Sequence, residues 1–396
     1  MHRSLLFGLI LMPSLALAAE PVVLTDAARR LHRESLVIDG HNDLPWNFRE
    51  KKDLSFRQID LTRPQPTLHT DFPRLREGGV GAQFWSAWVP STPSKRGDAL
   101  RLTLEQIDVI RRMVRTYPQH LEMASTANDI ERIHKSGKIA SMIGIEGGHS
   151  IENSLGVLRT YYDLGVRYMT LTHSDNTDWA DSATDKPKHN GLSPFGEEIV
   201  REMNRIGMLV DLSHVSPDTM KHALRITTAP IIFSHSSAYA IAPHPRNVPD
   251  DVLTLVKANG GVVMVNFYPG FITPEGARAS RDMFAQFRKM KAEAKNDKDF
   301  EQMMAQWRKE HPMPRGTVRT VVDHIEHIIK MAGVDHVGLG SDFDGITSTP
   351  QQLDDVAHYP YITQELLNRG YKEDAIKKIL GGNLMRVLRA AEQAKR

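Results

Sequence analysis

Eight short apolar runs recur along the 396 residues of this chain, separated by stretches with helical spacing. The runs cover residues 36–38, 81–89, 139–145, 167–172, 208–212, 230–233, 261–267 and 337–340, and they read as strands buried on both faces. Residues 100–115, 127–135, 154–164, 195–205, 217–225, 250–257 and 318–331 carry apolar side chains at three- and four-residue steps, as helices do, and Thr25 caps a further helix through His32. Strands that alternate with helices pair in parallel through right-handed crossovers. Eight such units predict an α/β fold closed into a (β/α)8 TIM barrel, with residues 19–396 forming one domain.

One segment exceeds the minimal unit. Between the seventh run and the helix before the eighth lies 273–316, where Met283, Phe284, Phe287, Met290, Phe300, Met303, Met304 and Trp307 recur at helical steps. They describe an amphipathic helical pair, which is a lid over the barrel mouth, a dimer contact, or a decoration on the barrel side. After Thr349 further helices are expected to close one end of the barrel.

Residues 1–18 resemble a secretory signal: His2 and Arg3 precede an apolar stretch that ends in Ala16-Leu17-Ala18. The apolar part is short for a bilayer span and is interrupted by Pro13; an uncleaved amphiphilic anchor is the alternative. The expectation is export to the periplasm, or secretion, after cleavage near Ala18. With no cysteine in the chain, neither a disulfide nor a thiol nucleophile is available, and any homodimer is non-covalent. Residues 390–396 are charged, so no apolar anchor tail is expected there. A formal charge of +2 from 50 basic and 48 acidic residues, with no basic tract, argues against a nucleic-acid partner.

In a parallel barrel the carboxyl ends of all strands open on one face, where chemistry gathers. The first run leads to His41 and Asp43, two residues apart and so on one face of an extended chain. An imidazole and a carboxylate aimed at one point suit a divalent metal such as zinc; the plainer alternative is a turn in which Asp39, Asn42 and Asp43 cap backbone groups. Later strand ends deliver Glu146, His173, His214, His235 and Asp342. Four histidines and three carboxylates are too many for one four-coordinate zinc and suit two metals that share a bridging carboxylate and a bridging hydroxide.

The motifs Asp39-Gly-His-Asn-Asp-Leu-Pro-Trp46, Glu146-Gly-Gly-His-Ser-Ile, Leu171-Thr-His-Ser-Asp-Asn-Thr, Asp211-Leu-Ser-His-Val-Ser, Phe233-Ser-His-Ser-Ser-Ala-Tyr, Arg246-Asn-Val-Pro-Asp-Asp and Gly340-Ser-Asp-Phe-Asp-Gly345 resemble the membrane (renal) dipeptidase family, a branch of the amidohydrolase barrels. The resemblance runs from about Asp26 to the end of the chain. It implies that His41 and Asp43 bind one Zn2+, that His214 and His235 bind a second, and that Glu146 bridges both. It further implies that His173 reaches the substrate carbonyl oxygen, Arg246 the terminal carboxylate, and that Asp342 moves protons. Dipeptides, including those with a carboxyl-side D-residue, are the implied substrates. The sequence departs from the animal members in its lack of cysteine and of an apolar tail, and the 273–316 insertion puts the rim in question.

Two zinc ions bring four positive charges against Asp43, Glu146 and one hydroxide, so the expected core is cationic even before Arg246 is added. It favours a substrate whose free carboxylate lies close to the scissile bond, and hence dipeptide rather than endoprotease cleavage. A strand-eight Asp342 that ligates metal is the alternative to a proton carrier, and a surface Arg246 is the alternative to a carboxylate fork. His324 and His327 lack the His-Glu-x-x-His spacing of helical zinc sites and are assigned to the helix surface. His149 is a loop hydrogen-bonding residue or a support for the metal site, and Trp85, Trp88 and Trp179 are core or mouth residues. The competing functions are an amidohydrolase acting on β-lactams or N-acyl amino acids, a solute-binding protein, and a zinc-storing protein.

Overall fold

The computed structural model describes residues 20–51, 53–91 and 97–396, so the expected signal segment lies outside the described residues. Among the described residues nine strands form one all-parallel sheet: β1 (Val37–Asn42), β2 (Val80–Trp88), β3 (Leu121–Met123), β4 (Ile139–Glu146), β5 (Val166–Thr170), β6 (Leu209–Asp211), β7 (Ile232–Phe233), β8 (Val262–Val265) and β9 (Val337–Leu339). Their order is β2-β1-β9-β8-β7-β6-β5-β4-β3, and a long β2–β4 pairing, Ala82 with Ala140 through Trp88 with Glu146, closes the sheet into an eight-stranded barrel. The remaining strand, β3, extends the first residues of β4 through Leu121–Ile139 and its neighbours. With only three residues, it offered no periodicity to read.

Two apolar layers hold the barrel. Inside, Ile38, Phe84, Met142, Tyr168, Leu209 and Met264 fill the space between strands. The last helix, Asn383–Ala394, joins that interior cluster through Leu384, Leu388 and Ala391. Just before it, a Cβ on Gly381 would stand 2.3 Å from the carbonyl oxygen of Leu36, the residue ahead of β1. The C-terminal helices therefore close the amino-terminal end of the barrel, and the carboxyl ends of the strands face the opposite mouth. Outside, Ile110, Met113, Ile199, Met203, Val321 and Ile325 belong to the cluster that joins the helices to the sheet.

Local chemistry sets the helix starts. Thr25 accepts from the Ala28 N–H, Ser154 from Val157, Ser193 from Gly196 and Ser216 from Thr219, and Thr126 with Asp129 forms a reciprocal capping box. Two short helices not anticipated from the sequence, Leu44–Glu50 and Phe72–Glu77, fill the connection between β1 and β2. Each has Pro in its first turn, a position that spares an N–H without an intrahelical partner. The 273–316 segment forms two helices, Pro274–Glu293 and Asp297–Glu310, as its spacing predicts. Their side chains line the cavity at the barrel mouth, which rules out a decoration confined to the barrel side.

Candidate metal centre

At the end of β1 the chain divides its polar work. Asn42 Oδ1 accepts from the Leu44 N–H at 2.9 Å, and Asp39 takes up the Ser341 N–H and hydroxyl at 2.8 and 2.7 Å. Those two side chains do the capping, while the Asp43 carboxylate makes no cap and meets His41 Nε2 at 3.1 Å. On the other side, Glu146, the last residue of β4, lies 3.7 Å from His41 Nε2, 2.9 Å from His214 Nε2 and 3.3 Å from His235 Nε2. The Nε2 atoms of His214 and His235 are 3.0 Å apart, and His173 Nε2 is 3.8 Å from Glu146. Three overlapping groups have their ligand atoms within 4.8 Å of one another: His41 with Glu146 and His235, Glu146 with His173 and His214, and His41 with Asp43 and Asp342. The seven side chains predicted from the strand ends thus converge. The groups cut across the expected two-and-two division of ligands, and they bring His173 and Asp342 within reach of a cation as well.

The hydrogen bonds behind the histidines aim their lone pairs. The Tyr168 hydroxyl, 3.2 Å from the Gly40 carbonyl oxygen, donates to it and accepts from His41 Nδ1 at 2.9 Å. Ser234 Oγ donates to Asp211 at 2.6 Å and accepts from His235 Nδ1 at 2.8 Å. With both Nδ1 atoms committed as donors, both Nε2 atoms turn their free valence to the centre, the orientation that metal-binding imidazoles need.

The charges agree with a cation there. Burial pushes His41 down, but Asp43, Glu146 and Asp342 outweigh it and raise the imidazole to about 10, so positive charge is favoured at Nε2. Glu146 is pushed up to about 8 and Asp342 to about 7, each first by burial, with Asp43 adding to both and His41 and Arg246 opposing. His173, His214 and His235 lie well below the ordinary imidazole range because the surrounding protein takes them largely out of water and they face Arg246 and His41. Neutral imidazoles and crowded carboxylates are a donor set that fits divalent metal ions of the zinc type.

Arg246 is buried, which overturns the surface alternative: its Nη1 and Nη2 donate to Ser236 Oγ and the His235 carbonyl at 3.3 Å, and its guanidinium lies 5.2 Å from the Phe271 ring. Its Nε has no hydrogen-bond partner among the described residues. Burial lowers it to about 10, where it remains a cation at neutral pH. Asp342 accepts from Asn266 Nδ2 at 2.9 Å. A Cβ on Gly345 would fall 2.2 Å from Asp43 Oδ2 and 2.8 Å from Asp342 Oδ1, so only glycine lets those carboxylates lie so close to the backbone. These groups line a cavity of about 460 Å³ at the barrel mouth, the size range of small-molecule sites.

Other sequence assignments sort cleanly. His149 Nε2 meets the Val89 carbonyl at 3.0 Å, a loop bond. His324 is not on the surface; it is fully buried, accepts from the Ala238 N–H at 2.9 Å and lies 3.0 Å from the Ile272 carbonyl, because its helix packs its inner face on the mouth loops. His327 pairs with Asp250 at 2.7 Å. Trp85 and Trp179 are core, whereas Trp88, with Trp46 edge-on at 4.5 Å, lines the cavity. Sequence reasoning missed Tyr168, which resembles any core aromatic, and Asn266, whose neutral amide at the end of β8 carried no metal signal.

A parallel barrel with carboxylates and imidazoles gathered at its open end is a metal-dependent hydrolase of the amidohydrolase type. More narrowly, the chain belongs to the membrane dipeptidase family (peptidase family M19), whose profile matches residues 25–396, and it is a metallopeptidase of that kind. It is 41% identical to mouse (Mus musculus) Dipeptidase 3 over 380 residues, covering 94% of this chain and 68% of that protein. It is 43% identical to Dipeptidase tcpJ of Claviceps purpurea over 364 residues, covering 89% and 76%. The fold is shared with the probable dipeptidase PvdM of Pseudomonas aeruginosa (TM-score 0.80, 24% identity, 93% of this chain and 98% of that one). It is also shared with a Rhodobacter sphaeroides metallopeptidase liganded with a phosphinate mimic of L-Ala-D-Ala (TM-score 0.74, 24% identity, 90% and 99%).

Proposed function

We propose that this protein is an exported zinc dipeptidase that cleaves the single peptide bond of a dipeptide held by its carboxylate. The observation that carries the reading is Glu146, whose carboxylate reaches His41 on one side and His214 and His235 on the other, in a cavity that also contains the buried Arg246 cation.

His41 and Asp43 would hold one zinc and His214 with His235 the other, with Glu146 between them. When bound, the pair supplies a water acidified to near neutrality and an electrophilic environment for the scissile carbonyl. The chain's own groups then do the rest. Arg246 presents a fork that binds the substrate carboxylate bidentately, which fixes the scissile bond over the centre. His173, neutral and partly exposed, donates Nε2–H to the carbonyl oxygen as charge develops there; one such donor typically contributes about 100-fold or more in rate. Asp342, steadied by Asn266, accepts the proton of the attacking water and returns it to the leaving amine. Trp46 and Trp88 shield one side of the cavity from bulk water.

Hydrolysis of Ala-Ala before chelation, after chelation and after zinc return, with metal content measured alongside, tests the reading. Full turnover by metal-free protein, or casein digestion without dipeptide turnover, would overturn it. β-Lactam or N-acyl amino acid turnover without dipeptide turnover would move the reaction to a related amide. The phosphinate mimic bound by the Rhodobacter sphaeroides protein supports comparing Ala-D-Ala with Ala-L-Ala. Export rests on the sequence of residues 1–18 and predicts a mature protein that begins near Ala19. No helix among the described residues is long and apolar enough to cross a membrane.

A further inference from the structure

The cavity above the metal-competent cluster has two unlike walls. One comes from the barrel: Trp46 beyond β1 and Trp88 at the end of β2, with Ile346 after Asp342. The other is built largely by the helical insertion, whose Met283 and Phe284 come from the first helix and Met304 from the second, with Tyr268 and Phe271 lining the same cavity.

That second wall is joined to the loop that carries Arg246. Ser280 Oγ lies 3.4 Å from His244 Nε2, and His244 Nδ1 accepts the Arg246 N–H at 3.2 Å. Arg281 of the same helix donates to the Pro243 carbonyl. The His244 ring lies 4.6 Å from Phe271 and 6.1 Å from Phe284, and the Tyr268 hydroxyl is 4.0 Å from Met283 Sδ. The apolar surface beside the guanidinium thus starts at Phe271, 5.2 Å away, and continues through the His244 ring to Phe284 of the insertion. Met304 is buried, whereas Met283 and Phe284 are half-buried with cavity on one side.

In a dipeptide, the carboxylate and the side chain of the last residue leave the same α-carbon. A carboxylate fixed on Arg246 thus places the root of that side chain within reach of the apolar surface that starts at Phe271. We propose that Met283, Phe284 and Met304 form a specificity wall which selects dipeptides with a large apolar carboxyl-terminal residue. The assignment rests on the dipeptidase reading and on Arg246 as the carboxylate anchor. Thioethers beside aromatic rings adapt to varied apolar shapes, so the wall accepts Leu, Met and Phe alike rather than one of them.

The test is a matched series: Ala-Gly, Ala-Ala, Ala-Leu and Ala-Phe against Gly-Ala, Leu-Ala and Phe-Ala, each as kcat/KM on the zinc-loaded protein. Burial of one large apolar side chain supports a preference of about tenfold or more for Ala-Phe and Ala-Leu over Ala-Ala. In the double variant Met283→Ala/Phe284→Ala, the Ala-Phe to Ala-Ala ratio is expected to fall at least about fivefold while the Phe-Ala to Ala-Ala ratio holds. A flat Ala-X series in the parent overturns the inference even if the variant fails to fold. So does a variant in which the Ala-Phe ratio is unmoved, or in which the Phe-Ala ratio moves instead. Absence of turnover on every dipeptide would instead refute the dipeptidase reading beneath it.

Discussion

The single atom most revealing of how this centre is held is the hydroxyl of Tyr168. It lies inside the barrel, 2.9 Å from His41 Nδ1 and 3.2 Å from the Gly40 carbonyl, on a side chain with no solvent exposure. Tyr168→Phe removes that oxygen and nothing else. The ring still packs on Phe84 at 4.8 Å and over Gly144, where no Cβ would fit. The lost bond contributes about 1 kcal/mol net, and a buried His41 N–H left without an acceptor costs roughly 1–3 kcal/mol. The freed imidazole can rotate or change tautomer, so Nε2 is no longer committed to the centre; losing such a partner typically weakens a metal site by about 10–100-fold. Competition with a chromophoric chelator measures this directly, and a denaturant titration of the metal-free protein measures the structural part. We expect both a weaker site and a metal-free protein less stable by about 1–3 kcal/mol. Unchanged zinc affinity would refute the orientation argument, whatever happens to stability.

Asp342→Asn is expected to keep metal content near the parent level while turnover falls by about 100-fold or more, because the amide cannot accept the water's proton; joint loss of metal would make Asp342 a ligand. Arg246→Lys should raise KM far more than it changes zinc content, since an ammonium cannot reproduce the fork that faces the cavity. Two buried histidines away from the centre set an acid limit: burial holds His32 and His324 at about 4. Each is neutral when folded but takes up a proton below about 6.5 when unfolded, so the stability it contributes is complete above 6.5 and lost as pH falls towards 4. Between those limits each subtracts as much as about 1.4 kcal/mol per pH unit. His324→Gln should flatten the pH dependence of the unfolding free energy by about that slope, and an unaltered slope would rule the residue out.

The barrel was legible because its strands are buried on both faces and so appear as unbroken apolar runs, with the chemistry moved to the residue just past each run. His41, Glu146, His173, His214, His235 and Asp342 stand at such junctions, and the structure brings them together. The illegible parts share a physical cause. A three-residue strand such as Leu121–Met123 has too few positions to show a period. Tyr168 acts through one oxygen at the end of a side chain whose remaining atoms are ordinary core. The placing of His324 depended on which loops its helix covers, a tertiary fact that helical spacing cannot carry.

Least legible of all is the backbone at the site. His214 and Asp342 adopt φ of +68° and +66°, in the left-handed region that L-residues occupy at a cost of about 1–3 kcal/mol. Glycine would relieve that strain and abolish the side chain, so the side chain's chemistry outranks the backbone's preference at both positions. What holds them is a pair of buried carboxylates on opposite sides of the mouth. Asp211 accepts from Thr170 Oγ1, the Ser213 N–H, the Ser234 N–H and Ser234 Oγ, and so ties β5, β6 and β7 around His214 and His235. Asp39 accepts from Gln83 Nε2, the Ser341 N–H and Ser341 Oγ, and ties β1, β2 and β9 around His41 and Asp342. Each carboxylate gathers the strand ends of one half of the donor set, and Glu146 spans the two halves. The centre's geometry is therefore fixed by three carboxylates with different duties, two that brace the backbone and one that faces the metal-competent space.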